Sequence, residues 1–480
     1  MRDDIRKKNR GVIIVNVLVF AFIAIVVTTA FVSWTSLLLK AIRHIEVREQ
    51  AFQIAEAGAD YYRWHLAHDA DDYQDGTGGP GPYYHDFYDK DGNTIGQYRL
   101  DITPPATGST IVTVRSTGIV TSPISVSRAI EVRLAIPSFA KYAVVASDRM
   151  RFGEGTEVFG PIHSNFGIRF DGLAHNIVTS GQSTTTDSDS DACTVASWAV
   201  HTCLSPADPV PPTNPPLRPD VFEAGRQYPV APVDFLGITS DLSNIKALAQ
   251  SGGRYFAASG SLGYHIVLKT NDTFDLYRVN TVVSTPSGCA SSQENWGTWS
   301  INTQQLLGTY ANPANGLIFL EDHVWVNGTI NTARLTIAAG RFPDNPTQRR
   351  DITVNNDLLY TNYDGQDVIA LIAQRNINIG MVSENDLRID AALVAQNGRV
   401  GRFYYAPPSG GSQRCSPYHD RDTITSYGMI ATYQRYGFAY TNGTGYETRN
   451  IIYDGNLLYG PPPNFPLTSD QYSTISWKEI

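Results

Sequence analysis

Hydrophobic residues follow three different patterns along this chain. From Val12 to Leu39 they form an almost unbroken run in which Asn16 is the only strongly polar side chain. At 1.5 Å per residue, about 20 residues cross a hydrocarbon core of about 30 Å, so this run predicts a membrane-spanning helix. The helical period continues past the run. Leu38, Ala41, Ile45, Phe52, Ala55, Ala59, Tyr62 and Leu66 recur at three- and four-residue spacings with charged residues between them, which predicts one helix over 12–68 whose outer half carries an apolar seam.

The second pattern is alternation. Residues 95–103, 110–121 and 124–137 switch between apolar and polar with period two, as in Val112 and Val114 against Thr113 and Arg115. They predict a half-buried antiparallel sheet packed on the outer half of the helix. The third pattern begins at about 138 and resumes at 317–340, 351–362, 367–380 and 386–401, as short strands separated by Gly and Asn corners. Such coils bury their apolar faces only by stacking, which predicts a β-solenoid-like domain, with a β-sandwich as the alternative. The expected class is α+β. Its parts are a basic leader (1–11), the long helix (12–68), a Gly-rich loop (69–94), a small antiparallel sheet (95–137) and first solenoid strands (138–179). There follow a Ser/Thr/Pro-rich insertion with a cysteine pair (180–234), a helix and strand insertion (235–316) and a solenoid-like domain with a C-terminal cap (317–480). The 180–234 insertion is expected as a surface excursion. Within the next part, Leu242, Ile245, Leu248 and Ala249 predict a helix over 234–250, with Asp241 as a capping candidate.

Composition supports the β-rich reading. Only 17% of the 480 residues are charged, where an ordinary soluble domain has about 25%. Gly (40), Pro (27) and Tyr (26) are plentiful instead, a mixture that suits short strands and tight turns. The net charge is −9, with no basic run beyond the first ten residues, so no nucleic-acid partner is expected. Arg2, Arg6, Lys7, Lys8 and Arg10 precede the apolar run. By the positive-inside rule they predict a single-pass membrane protein with a cytoplasmic N-terminus and its bulk outside. The apolar core is longer than that of a secretory signal and no A-x-A-like site follows it, which argues against a cleaved signal peptide.

The leader ending in Arg10-Gly11, the apolar helix directly after Gly11, and Ala55-Glu56-Ala57-Gly58 within Gln53–Asp60 resemble the start of a minor type IV pilin of the PilX kind. The resemblance implies cleavage after Gly11 by prepilin peptidase, with Val12 as the new first residue, and other pilin or pseudopilin subunits as partners through the helix. Val12 stands where major pilins have Phe or Met, and Asn16 where they have Glu, which points away from a major filament-building subunit. The segments GQYRLDIT, TVRSTGIVTS and SRAIEVRLAIP are similar to the PilX-type sheet. VWVNGTINTARLTIAAG, IALIAQRNINIG and the ending YDGNLLYGPPPNFP…ISWKEI resemble the C-terminal region of large PilX-like or DUF4900-like surface proteins. The implied function is a membrane-inserted minor subunit of a type IV pilus or type II secretion pseudopilus. An uncleaved signal anchor carrying an adhesin or carbohydrate-binding domain is the alternative.

Candidate chemistry is sparse. Cys193, Cys203, Cys289 and Cys415 allow three pairings in an oxidising compartment. Cys193–Cys203 is the economical local one, which leaves Cys289–Cys415 as a pin between distant coils. Asp89-Lys90-Asp91-Gly92-Asn93 has the start of a calcium loop, but Leu100 falls where its bidentate Glu belongs, and a hairpin turn is the simpler reading. His65 and His68, three apart on the helix, are read as solvated helix-end residues. No H-E-x-x-H, G-x-S-x-G or P-loop occurs, so no enzyme, metal site or cofactor is expected. Asp386, Arg388 and Asp390 alternate on one strand and are read as a polar outer face, with a β-helix polysaccharide-active enzyme as the remote alternative. Tyr404, Tyr405, Tyr427, Tyr433 and Tyr436, with Arg402, Arg414, Arg421 and Arg435 among them, are read either as a binding surface for a carbohydrate or other surface ligand or as the cap closing the solenoid.

Overall fold

The computed structural model describes residues 3–105, 109–122, 124–136, 138–187, 189, 196–235, 237–465, 467 and 471–480. The chain divides into two compact units, one formed by 1–104, 112–135 and 471–480, the other by 105–111 and 136–470.

The first unit is built on a single helix, α1 (Asp3–His68). An 18-residue window in its N-terminal half has mean hydropathy 2.7 and none of it is buried. Thr28 donates to the Ala24 carbonyl, Thr35 to Phe31 and Ser36 to Val32 within the helix, bonds that suit an apolar surrounding. The outer half packs on an antiparallel sheet of β1 (Tyr83–Tyr88), β2 (Thr94–Thr103), β3 (Val112–Val120), β4 (Val126–Ala135) and the C-terminal strand Ser473–Glu479. Two of these strands differ from expectation. Tyr83–Tyr88 lies inside the stretch read as loop. The C-terminal strand was assigned to the cap of the large domain, but it pairs with β4. The calcium-like sequence is the β1–β2 turn, where the Asp89 carboxylate accepts from the backbone N–H groups of Asp91 and Asn93.

The buried seam of α1 is Val47, Ala51, Ile54, Ala55, Ala59, Tyr62 and Leu66, set against Leu100, Val112, Val114, Ile130 and Val132. The expected seam is correct from Ala55 onward. Leu38, Ala41 and Ile45 are exposed, and the seam turns instead through Val47, Ala51 and Ile54. Small residues set the distance between helix and sheet. A Cβ on Gly118 would overlap the Ala51 carbonyl oxygen, and one on Gly58 would overlap the Ser116 hydroxyl.

The second unit is a set of parallel ladders. The first runs through Arg254–Phe256, Leu317–Leu320, Arg334–Ala339, Val368–Ala373, Asp386–Ala395 and Asp420–Thr432. It then continues to Val144–Ala146, Ile162–Ser164, Val178–Ser180 and Arg226–Gln227. Strands early in the chain therefore stack on strands near its end. A second ladder passes the same junction, from Asp420–Thr432 through Gly445–Tyr453 to Thr156–Phe159. These parallel pairings are not those of an antiparallel sandwich.

Alternate residues of each strand face a shared interior that includes Ile318, Ile337, Leu371, Leu393 and Ile430. The opposite face of the first ladder is buried too: α2 (Gly237–Gly252) packs against Arg254–Phe256, Leu317–Leu320 and Arg334–Ala339, and its Leu242, Ile245 and Ala249 belong to a second apolar cluster with Phe319, Ala338, Ala370 and Ala392, which Leu457 and Phe465 also join. A helix of 16 residues is marginal alone in water, and burial of its Leu and Ile at about 1.5–3 kcal/mol each holds it in place. Asp241 falls inside this helix. The 180–234 stretch is more than a surface excursion. Val200, Val221 and Phe222 enter the interior, although Cys193 lies outside the described residues.

Candidate functional site

Two features of the chain carry functional chemistry. The first is α1. Gly11 and Val12 lie within its first turns, Asn16 is exposed among uncovered apolar side chains such as Leu18 and Phe20 (72% exposed), and the Ala55–Gly58 segment lies on the sheet side of the outer half. There Ala55 and Gly58 are buried, Ala57 is half-buried and Glu56 is exposed. The helix thus has one half that needs an apolar surrounding and another already packed.

The second is a groove in the large unit. Two ladders run unbroken across the junction between late and early strands, but the third side is interrupted. Ile352–Thr353, Ile377–Ile379 and Val400–Arg402 lead to a single bridge at Gly437. Met150–Phe152, Ile168–Phe170 and Val200–His201 form a separate three-stranded sheet. Near the interruption is a groove of about 1000 Å3 lined by Arg151, Arg169, Arg399, Arg435 and Arg449, with Gln293, Tyr440 and Thr441. Register places Arg151 beside Arg169 and Arg169 beside His201 on successive strands, two arginines and an imidazole in a row at the strand spacing of about 4.8 Å.

The acidic tract after Thr184–Thr186 meets this row. Asp189 accepts two bonds from Arg435, at 2.8 and 3.0 Å, and one from Arg151 at 2.9 Å. Asp187 lies 3.3 Å from Arg169 and 3.5 Å from His201. Asp171 pairs with Arg169 at 2.7 Å and accepts from the Cys203 backbone N–H at 2.8 Å. The Arg435 and Arg151 guanidiniums hold the Asp189 carboxyl well below the usual carboxylate range. Asp187, His201 and Cys203 cluster closely enough for a metal, but Cys203 is disulfide-bonded, which removes its thiolate as a ligand. Of the groove residues, the sequence singles out Arg435 and Tyr436, as part of a binding surface or cap, but not Arg399 and Arg449, nor Arg151 and Arg169. The signal for them was the repeated triplet, Met150-Arg151-Phe152 and Ile168-Arg169-Phe170, one coil apart.

The remaining candidates are dispersed. Cys289 and Cys415 form a buried disulfide, Cα–Cα 4.8 Å, packed with Met381, Phe403 and Tyr405. Tyr405 and Tyr436 are buried, the former bonded to the Gly297 carbonyl and the latter packed on Phe152 at 5.3 Å. Tyr404 stands edge-on to Tyr440, and Tyr427 edge-on to Tyr363. Only Tyr433 of these five is exposed, at 41%. They do not form one surface. Arg402 is wholly buried, bonded to the Gly380, Met381 and Tyr418 carbonyls, and burial brings its pKa down to about 10.

Asp386 is exposed, but Asp390 is not part of an outer face. Tyr363 donates to it at 2.8 Å, Arg388 at 2.8 Å and the Tyr360 N–H at 3.0 Å, and burial raises its pKa. His65 pairs with Asp72 at 3.0 Å while His68 bonds the Trp64 carbonyl, so the two do not share a ligand.

No protein-family model matches the sequence, and no curated protein matches it. Among solved structures, the chain is similar to the competence-associated pilin ComZ from Thermus thermophilus, at 11% identity and a TM-score of 0.32, over 90% of this chain and 97% of that one. A likeness that loose assigns neither family nor activity, and the reading below stands on the chain's own residues.

Proposed function

We propose that the chain is a membrane-inserted, minor pilin-like subunit of the PilX kind, belonging to a type IV pilus or type II secretion pseudopilus and displaying its β-rich unit outside the membrane. The observation that carries this reading is α1, a continuous helix with an uncovered apolar half and an outer half seated on an antiparallel sheet through Ala51, Ala55 and Gly58. The apolar half is stored in lipid. On assembly it moves into a bundle of like helices, where packing of small and apolar side chains replaces lipid contacts. Asn16 brings no carboxylate to that bundle, which suits a low-copy position. The large sheet-rich unit of parallel ladders is too bulky to repeat at every position along a shaft.

Processing after Gly11 is the chemical event this reading requires. Mass spectrometry of the native protein is expected to find Val12 as the first residue. An N-terminus at Met1 or Arg2 would overturn the processing claim and favour a simple anchor.

A further inference from the structure

We infer that Asp187, His201 and Cys203 form a redox-gated site for a divalent metal of the zinc class, closed while Cys203 is disulfide-bonded and opened when that bond is reduced. Two independent observations point to a cation. The first is the donor set. One carboxylate oxygen, one imidazole nitrogen and one sulfur lie within 4.8 Å of one another, the mixed and partly soft ligands that zinc takes in tetrahedral sites. The second is His201 itself. Its side chain is only 4% exposed, and its Nδ1 lies 2.8 Å from the Trp198 carbonyl, an oxygen that only accepts, so Nδ1 carries a hydrogen. Nε2 is left without a hydrogen-bond partner and faces the Asp187 Oδ2 at 3.5 Å. A carbonyl on the far ring nitrogen is how metal-bound histidines are oriented.

The spacing fits. Ligand atoms about 2.0–2.3 Å from a tetrahedral zinc stand about 3.3–3.6 Å apart, a separation that His201 and Asp187 already have. The Asp187 Oδ1 accepts from the Asp189 N–H at 3.0 Å, and the Cys203 N–H is fixed on Asp171 at 2.8 Å. Arg169 lies 3.3 Å from the same Asp187 oxygen but has Asp171 nearer, at 2.7 Å, so a metal can take its place on Asp187. Cys203 is half-buried, whereas Cys289 and Cys415 are wholly buried, so a reductant reaches the Cys203 disulfide first. A dithiol breaks this S–S bond by passing two electrons and two protons to its sulfurs, and closes into its own disulfide. Zinc then displaces the Cys203 thiol proton to solvent as the Zn–S bond forms. The fourth position is left for water or for the second thiol that the reduction releases.

The test is zinc titration of the full-length protein in detergent, before and after reduction by a water-soluble phosphine, which takes oxygen from water to become its oxide and leaves no competing thiol. The reduced protein is expected to bind zinc about a hundredfold more tightly than the oxidised one, and cobalt(II) in its place is expected to give a thiolate-to-metal charge-transfer band. Asp187→Asn, His201→Gln and Cys203→Ser are each expected to weaken binding about tenfold or more, and Cys203→Ser to abolish the band, which a site made by Cys289 and Cys415 would retain. Asp187→Asn leaves every disulfide intact and is the decisive variant where circular dichroism shows Cys203→Ser unfolded. Equal zinc affinity in the two redox states, a missing charge-transfer band, or unchanged affinity in Asp187→Asn would each overturn the assignment. The site belongs to the large unit alone, so an unprocessed N-terminus would leave it standing.

Discussion

Strand β3 and the strand Val368–Ala373 are both rich in β-branched and aliphatic residues, yet they are built for opposite surroundings. In β3, Val112, Val114, Ser116, Gly118 and Val120 are buried and the residues between them are not. In Val368–Ala373 all six are buried. Ile369, Leu371 and Ala373 face the interior of the ladders, and Val368, Ala370 and Ile372 face the second apolar cluster, to which α2, Leu457 and Phe465 contribute. An antiparallel sheet with one face in water tolerates polar residues at every second position, whereas a parallel ladder covered on both sides admits them only where they are hydrogen-bonded, as Asp390 is. The contrast shows that a continuous apolar run marks a second covering layer, here supplied by distant parts of the chain that include α2, Leu457 and Phe465.

The sharpest way to break this comparison is to place a charge on the second face of each strand. Ala370→Glu buries an unpaired carboxylate in the second apolar cluster, and is expected to cost about 4 kcal/mol or more. Thr113→Glu, which register sets opposite Arg133, is expected to stay within about 0.5 kcal/mol. Denaturant unfolding of the detergent-solubilised protein measures both, and equal losses would mean that the second face of Val368–Ala373 is not sealed. Next in size is the covalent tie. Cys289 and Cys415 are 126 residues apart, and replacing both by Ser is expected to cost about 3 kcal/mol and to loosen the Phe403–Tyr405 segment first, as read by hydrogen exchange. Gly118→Ala tests the one-sided sheet at its closest point, where the added methyl group meets the Ala51 carbonyl oxygen. About 2 kcal/mol of overpacking is expected, seen as faster amide exchange in Ala51–Leu66 with the large unit unchanged.

The elements most legible in the sequence were those whose surroundings impose a period. The lipid-length run gave α1, alternation gave β2, β3 and β4, and the Gly- and Asn-bounded apolar runs gave the ladder strands. Strands with little apolar content escaped. Tyr83–Tyr88 reads YYHDFY and the C-terminal strand STISWKE, and both lie at the edges of the five-stranded sheet, where one side is unpaired and burial is slight. The junction of Ile430–Thr432 with Val144–Ala146 is made by backbone hydrogen bonds, which leave no mark on side-chain identity. The same holds for the interrupted third side, and with it the groove. The tyrosines of 404–436 were legible as a cluster in sequence, but the turns between coils send them to different places. Asp390 looked like an outward residue because the pattern does not show that Tyr360 and Tyr363 fold over it.

The smallest expected effect concerns the third side of the ladders, which opens to the groove much as the outer face of β3 opens to water. Asp189 lies there, its side chain 19% exposed, beside Arg435 and Arg151. These guanidiniums, Arg435 first, keep its carboxyl well below the ordinary range. A carboxylate depressed in the folded state contributes stability at pH values above its unfolded pKa of about 3.9 and loses that contribution as pH falls. Asp189→Asn is therefore expected to cost about 1 kcal/mol at pH 7, a modest figure because the site is partly screened by water. The gap to the native protein should begin to close below about pH 4, when the carboxylate of the unfolded chain takes up its proton, and should vanish only as pH falls through the depressed pKa of the folded carboxyl. Denaturation midpoints of the two proteins at pH 7 and pH 3 decide the matter. A gap that persists unchanged at pH 3 would assign the contribution of Asp189 to shape and hydrogen bonding rather than charge, and the third side would then resemble the covered ladder face more than the open face of β3.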